Sequence, residues 1–408
     1  MKKSTLKRYA RLIAEVGGAV QKGQEVVIRA EPDQPEFVAM VAEECYKLGA
    51  SRVTVDWGYQ PLTKLAVKYE KQKTLSRLEE YQVARLRYRA EKLPVMIYLE
   101  SEDPDGLAGM NQAKFAKVRQ AQSKITKPIR DTMDNRYQWC IAAVPGAAWA
   151  NKLFPGMRTA AAIEKLWEAI LAASRADGAD PVADWKRHDE DLAARCAYLN
   201  KLHIKELHYT ASNGTDLRVG LLPNGKFAGG GEHTIQGVFY NPNMPTEECF
   251  TSPKRGEAEG IVYASKPLSY GGELIENFSV RFEKGRAVEV HAEKNEDLLR
   301  EMISMDDGAA CLGECALVPV DSPISESGML FMNTLFDENA ACHLALGRGF
   351  SECIVDYANY TLEELREAGL NDSMIHVDFM IGTPDLSIDA LCENGKTVPV
   401  FRRGTWAF

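Results

Sequence analysis

Apolar residues recur at helical spacing over residues 6–20, and Gly23 ends the pattern. The run Glu25-Val26-Val27-Ile28-Arg29-Ala30 is short and rich in β-branched residues, which predicts a buried strand. Helical spacing returns over 35–48 and stops at Gly49, and Arg52-Val53-Thr54-Val55-Asp56-Trp57 predicts the next strand. Strand, helix and strand at these lengths make a βαβ unit, whose outcome is a parallel sheet covered by helices. Further strands are predicted over 94–99 and 138–144, with helices over 74–89, 115–131 and 159–176.

The texture then changes. Arg175-Ala176-Asp177-Gly178-Ala179-Asp180-Pro181 is small, polar and turn-prone, so the domain boundary is placed there, giving domains 1–180 and 181–408. After a helix over 189–201, residues 206–211 and 216–221 alternate like paired strands around Asn213-Gly214, a tight-turn dipeptide. A second hairpin is predicted around Lys284-Gly285-Arg286. The fold class is therefore an α/β N-terminal domain with a mainly parallel sheet, followed by an α+β C-terminal domain with a mainly antiparallel sheet.

Charge narrows the partners. The chain has 408 residues, 49 basic and 58 acidic, for a net charge of −9. Such a chain is a poor general binder of nucleic acid or of an anionic membrane, which need clustered Lys and Arg. The basic stretch 64–89 has Glu interleaved and reads as a solvated helix face. No run approaches the roughly 20 apolar residues that span a bilayer. Lys7, Arg8, Arg11 and Glu15 interrupt any secretory core after the basic start. Nine scattered cysteines without a CxxC pair read as reduced thiols of a cytoplasmic protein.

Candidate chemistry lies in the second half. His376 and Asp378 sit two apart in a strand-like stretch and project from one face, half of a divalent-metal site. A structural His–Asp hydrogen bond is the plainer reading of that pair alone. Glu338 and His343 fall five apart in an Ala-rich stretch that reads as a helix ending at Gly347, where they would flank a site only around the helix end. Glu314 is set in the small, apolar run 309–318, where an ionised carboxylate is costly unless paired or bound to a cation. Glu247 and Glu248 are adjacent, so they face different ways, and one can bind a metal while the other reaches the attacking water. Surface charge is the usual meaning of such a pair. Taken together, Glu248, Glu314, Glu338 and Asp378 with His343 and His376 give four carboxylates and two imidazoles, which suit two divalent ions bridged by a carboxylate. The sequence holds no GxSxG, GxGxxG, P-loop or HExxH, which excludes the common serine-hydrolase, nucleotide and single-zinc patterns. His188, His203, His208, His233 and His291 have no partner pattern and read as surface or core residues.

Three blocks are distinctive: Asn243-Met244-Pro245-Thr246-Glu247-Glu248, Glu338-Asn339-Ala340-Ala341-Cys342-His343-Leu344-Ala345-Leu346-Gly347, and Asn371-Asp372-Ser373-Met374-Ile375-His376-Val377-Asp378. At these residues the chain resembles the aminopeptidase T and aminopeptidase S family of metalloaminopeptidases, over essentially its whole length. The resemblance implies a cytoplasmic homodimer that removes N-terminal residues from peptides with two divalent ions (Zn²⁺, Co²⁺ or Mn²⁺). It implies ligands at Glu248, Glu314, Glu338, His343, His376 and Asp378, with Glu314 bridging. Glu247 is the candidate general base by analogy with other two-metal exopeptidases. One departure is plain: the family's active-site tyrosine falls at Phe350, which has no hydroxyl. Tyr357 or Tyr360 supplies the hydroxyl from a shifted loop, the metals suffice for a slower enzyme, or the chemistry has drifted. Rival readings are a non-haem iron ring-cleaving dioxygenase on the same scaffold and a non-catalytic peptide-binding homologue.

Overall fold

The structure, a computed structural model, describes residues 1–408. It forms two compact units: residues 1–187 with 231–245, and residues 188–230 with 246–408. The boundary falls within the helix Pro181–Lys201, seven residues beyond the expected boundary at residue 180. Residues 231–245 return to the first unit because Asn243–Met244 pairs with the last strand of its sheet. A two-residue strand is too short to show a pattern in sequence.

In the first unit, β1 (Glu25–Ala30), β2 (Arg52–Trp57), β3 (Val95–Glu100) and β4 (Trp139–Ala143) lie parallel in the order β2, β1, β3, β4, with Asn243–Met244 at the far edge. The central strands are largely buried, as helices on both faces require. The helices Pro35–Lys47 and Thr159–Ala173 bury one stripe each. Phe37 and Tyr9 stack at 5.5 Å, and both meet Trp167 edge-on.

Two predicted helices differ from expectation. The 6–20 helix is α-helical only to Leu12, and Ile13–Gly17 closes as a wider π turn. A Cβ on Gly17 would sit 2.5 Å from the Cys140 sulfur, so glycine lets this turn approach β4. The 74–89 helix is two pieces, Gln72–Leu75 and Glu80–Lys92, because Glu79 and Gln82 form a capping box that starts a new helix.

The second unit holds a large antiparallel sheet and a four-stranded antiparallel sheet ordered Cys249–Thr251, Leu312–Leu317, His343–Gly347, His376–Met380. One face of the small sheet carries Cys315, Leu317, Leu344, Leu346 and Phe379. These share a core with Leu207, Val219, Val262 and Val280 of the large sheet. Leu192, Cys196 and Leu199 of the 181–201 helix close the same core.

The helix expected through 338–346 is instead a single 3₁₀ turn, Glu338–Ala340, followed by the strand His343–Gly347. Every residue of that strand is buried. A continuous apolar run does not separate helix from strand, and here pairing on both edges decides it. All nine cysteines are buried, and none forms a disulfide. No helix is long and apolar enough to cross a membrane.

Candidate metal centre

The register of the small sheet gathers the chemistry on the face opposite its core. Ala345 pairs with Asp378 and Gly347 with His376, while Glu314 pairs with Ala345 and Ala316 with His343. Directly paired residues share a face, as do residues two apart. Glu314, His343, His376 and Asp378 therefore all project from one side. Between them stand Ala316, Ala345 and Gly347, whose small size leaves the space above the sheet to the polar groups.

Glu248 comes from the segment leading into the Cys249–Thr251 strand. Its Oε2 lies 3.1 Å from His343 Nε2. His376 Nε2 lies 3.1 Å from Glu314 Oε2 and 3.2 Å from Asp378 Oδ1. Ligand-capable atoms of Glu248, Glu314 and His343 all lie within 4.8 Å of one another, and so do those of Glu314, His376 and Asp378. The two triads share Glu314. Glu338 belongs to neither, but it is buried on the 3₁₀ turn beside them. Burial and the charges of Asp378 and Glu248 raise its carboxyl well above the usual range.

Local structure explains the close approach of these strands. At Gly313 a Cβ would meet the carbonyl oxygens of Arg348 and Gly347 at 2.3 and 2.4 Å. Pairing with the His343 strand shifts register between Leu312 and Glu314, the mark of a bulge. Glycine at 313 thus admits neighbouring backbone, and the bulge re-aims Glu314.

Both imidazoles are oriented through their second nitrogen. His343 Nδ1 lies 3.2 Å from the Ala341 carbonyl and His376 Nδ1 lies 2.7 Å from the Arg348 carbonyl. A carbonyl only accepts, so each Nδ1 carries the hydrogen and each Nε2 is turned toward the carboxylates. Metal-binding histidines are held in this way.

The charges indicate what this donor set takes. Burial pushes Glu314 up to about 7, reinforced by Glu248 and Asp378 and opposed by His376. Burial would lower His343, yet its bond to Glu248 lifts it to about 10. Burial is likewise outweighed at His376, which Asp378 and Glu314 raise well above the ordinary value. Asp378, raised by burial, is drawn down to about 2 by His376. Its Oδ1 lacks a hydrogen-bond donor even with His376 3.2 Å away. Oxygen and nitrogen donors, a surplus of negative charge and an orphaned carboxylate oxygen fit divalent cations.

The adjacent Glu247 does face a different way. Both Glu247 and Glu248 are buried, at 6% and 7% exposure. Glu248 meets His343, whereas Glu247 Oε2 lies 4.0 Å from His188 Nε2. Sequence reasoning passed over His188 and Asn339. The latter's side chain accepts from the Glu247 amide at 2.7 Å. No spacing signal marks either residue, because each acts on backbone rather than on a matched side chain.

Phe350 lies against the centre. Its ring is 4.8 Å from that of His376 and 5.5 Å from Phe250, in an apolar cluster with Ala316 and Cys353. Tyr357 packs in a separate cluster with Leu222, Ile354, Leu365 and Leu370. Tyr360 is nearly half exposed and lines a groove beside Leu222 and Leu365. Neither tyrosine takes the Phe350 position.

A family model described as thermophilic metalloprotease (M29) matches residues 2–406. The chain belongs to the M29 metalloprotease family. This M29 chain is 41% identical to aminopeptidase AmpS of Bacillus subtilis over 99% of its own length and 98% of that protein's. It is 40% identical to aminopeptidase T of Thermus thermophilus, again over 99% and 98% of the two chains. The solved structure of wild-type AmpT from Thermus thermophilus matches it with a TM-score of 0.90 at 38% identity, covering 100% of both chains. These full-length likenesses support the peptidase reading over the ring-cleaving dioxygenase.

Proposed function

We propose that this M29 chain is an aminopeptidase that removes N-terminal residues from peptides with two divalent ions, Zn²⁺, Co²⁺ or Mn²⁺, held by its second unit. The observation that carries the reading is the pair of donor triads sharing Glu314. Glu248 and His343 would hold one ion and His376 and Asp378 the other, with Glu314 within reach of both positions and Glu338 adding a carboxylate beside them. When bound, the ions lower the pKa of a water molecule and polarise the scissile carbonyl.

The protein groups supply the rest. Glu247, next to a ligand but a member of neither donor triad, takes the proton of the attacking water and returns it to the departing amine. The surplus of buried carboxylates draws the positively charged N-terminus of a peptide, which favours action at chain ends. Phe250 and Phe350 present an apolar wall beside His376 that excludes water. The resemblance also implies a homodimer in the cytoplasm, and nine buried thiols without disulfides agree with a reducing compartment.

Chelation tests the reading. Exhaustive removal of divalent ions abolishes release of aminoacyl-anilides, and titration with Zn²⁺, Co²⁺ or Mn²⁺ restores it, saturating at two equivalents per chain by elemental analysis. Full turnover by the metal-free chain refutes the assignment. Restored metal without turnover of any peptide supports the non-catalytic rival instead.

Phe350→Tyr provides a second check. A hydroxyl at the end of that ring would lie beside the His376 side of the centre, where it donates to a developing oxyanion or leaving group. A missing donor of this kind costs about 10²–10³ in rate in other enzymes. The variant is expected to raise kcat at least ~10-fold with little change in KM. An unchanged or lower kcat would show that the apolar wall is what this active site uses.

A further inference from the structure

The peptide group joining Thr246 to Glu247 is held at both ends. His188 Nε2 lies 2.7 Å from the Thr246 carbonyl oxygen. The amide of the same peptide group, the Glu247 N–H, donates to Asn339 Oδ1 at 2.7 Å. Asn339 is itself fixed, since its Nδ2 donates to the Leu335 carbonyl at 2.9 Å. A carbonyl only accepts, so His188 carries hydrogen on Nε2. That N–H end also stands 4.0 Å from Glu247 Oε2, too far for a hydrogen bond. The His188 side chain is 10% exposed.

We propose that His188 is a positioning residue for the reaction: by holding the Thr246–Glu247 peptide plane, it aims the Glu247 carboxylate at the attacking water. The proposal rests on the reading of Glu247 as general base. Fixing the carbonyl and the amide of one peptide group removes rotation of that plane. The plane sets where the N–Cα bond of Glu247 lies, so a tilt of the plane would carry the side chain's point of attachment with it. Glu248, the next residue, points to His343, so a tilt of this peptide would disturb the division of labour between the two glutamates. The pattern is invisible in sequence because both anchors, 58 residues upstream and 92 downstream of the groups they hold, bind backbone.

The test uses the metal-loaded full chain. His188→Ala lowers kcat about 10-fold, with KM and metal content unchanged, because a misaimed group is still present but poorly aligned. His188→Gln, whose amide N–H reaches a similar point, recovers most of the loss. Combined with Glu247→Gln, His188→Ala changes kcat by less than about twofold, since a residue that acts through Glu247 has nothing left to aim. In the metal-free chain, ¹⁵N NMR of the His188 ring shows the Nε2–H tautomer. If His188→Ala does not fold, His188→Phe keeps the bulk, removes the N–H and replaces it in each comparison.

An unchanged kcat, a full loss that persists in the Glu247→Gln background, a parallel loss of metal, or an Nδ1–H tautomer overturns the proposal. A Glu247→Gln chain with full kcat removes the base assignment beneath it. A slowed Glu247→Gln chain beside an unaffected His188→Ala removes this inference alone.

Discussion

Glu314→Gln is expected to cut kcat/KM by about 10³–10⁴-fold, the scale of several kcal/mol of lost Lewis-acid stabilisation. It is also expected to lower bound metal at both proposed positions. The reason is topological. Glu314 is the one residue common to both donor triads, so neutralising it removes a negative ligand from each at once. Replacing any other member leaves one triad whole. Gln keeps the volume of a side chain that is 5% exposed, so the core facing the opposite side of the sheet is undisturbed and melting should show a folded chain. Elemental analysis with anilide turnover reads both quantities. Retention of two ions and full rate by Glu314→Gln would mean that the two positions do not share it.

Glu247→Gln is expected to lower kcat by about 10²–10⁴-fold, the usual contribution of a general base, while metal content and KM hold. Glu248→Gln is the control at the neighbouring residue. Its carboxylate is 3.1 Å from His343 Nε2, so it should lose metal along with rate. The contrast between one variant that keeps its ions and another that loses them separates two adjacent, equally buried glutamates. Loss of metal from Glu247→Gln, with Glu248→Gln retaining it, would exchange their roles.

The parallel half of the fold was legible because its signals are local. Strands β1 and β2 fall on the residues their patterns mark, since short β-branched runs between glycine-bounded helices leave little choice. What escaped depends on distant partners. The His343 strand looked helical because both its faces are covered and its Ala-rich start suits either state. The pairing of Asn243–Met244 with β4 rests on two residues. At the centre, residue types pointed to the cluster, and each of the six ligand candidates lies in or beside it. The shared place of Glu314 required the register of three strands, and the anchoring of Glu247 required His188 and Asn339, whose contacts are to main chain.

The burial of every sulfhydryl has a practical corollary. Burial holds Cys45, Cys315 and Cys342 up at about 12 and pushes Cys140 and Cys353 up as well, while a hydrogen bond with Cys196 together with burial raises Cys249, so their nucleophilic form is scarce at neutral pH. An alkylating reagent such as iodoacetamide then reacts only as segments open, and the rate at each sulfur reports the opening of its own surroundings. Cys45 and Cys140 sit in the first unit, while Cys249, Cys315 and Cys342 lie in or beside the sheet that carries the candidate metal centre. The chain thus carries its own set of labelling sites, by which mass spectrometry can follow the loosening of each half separately without any added tag.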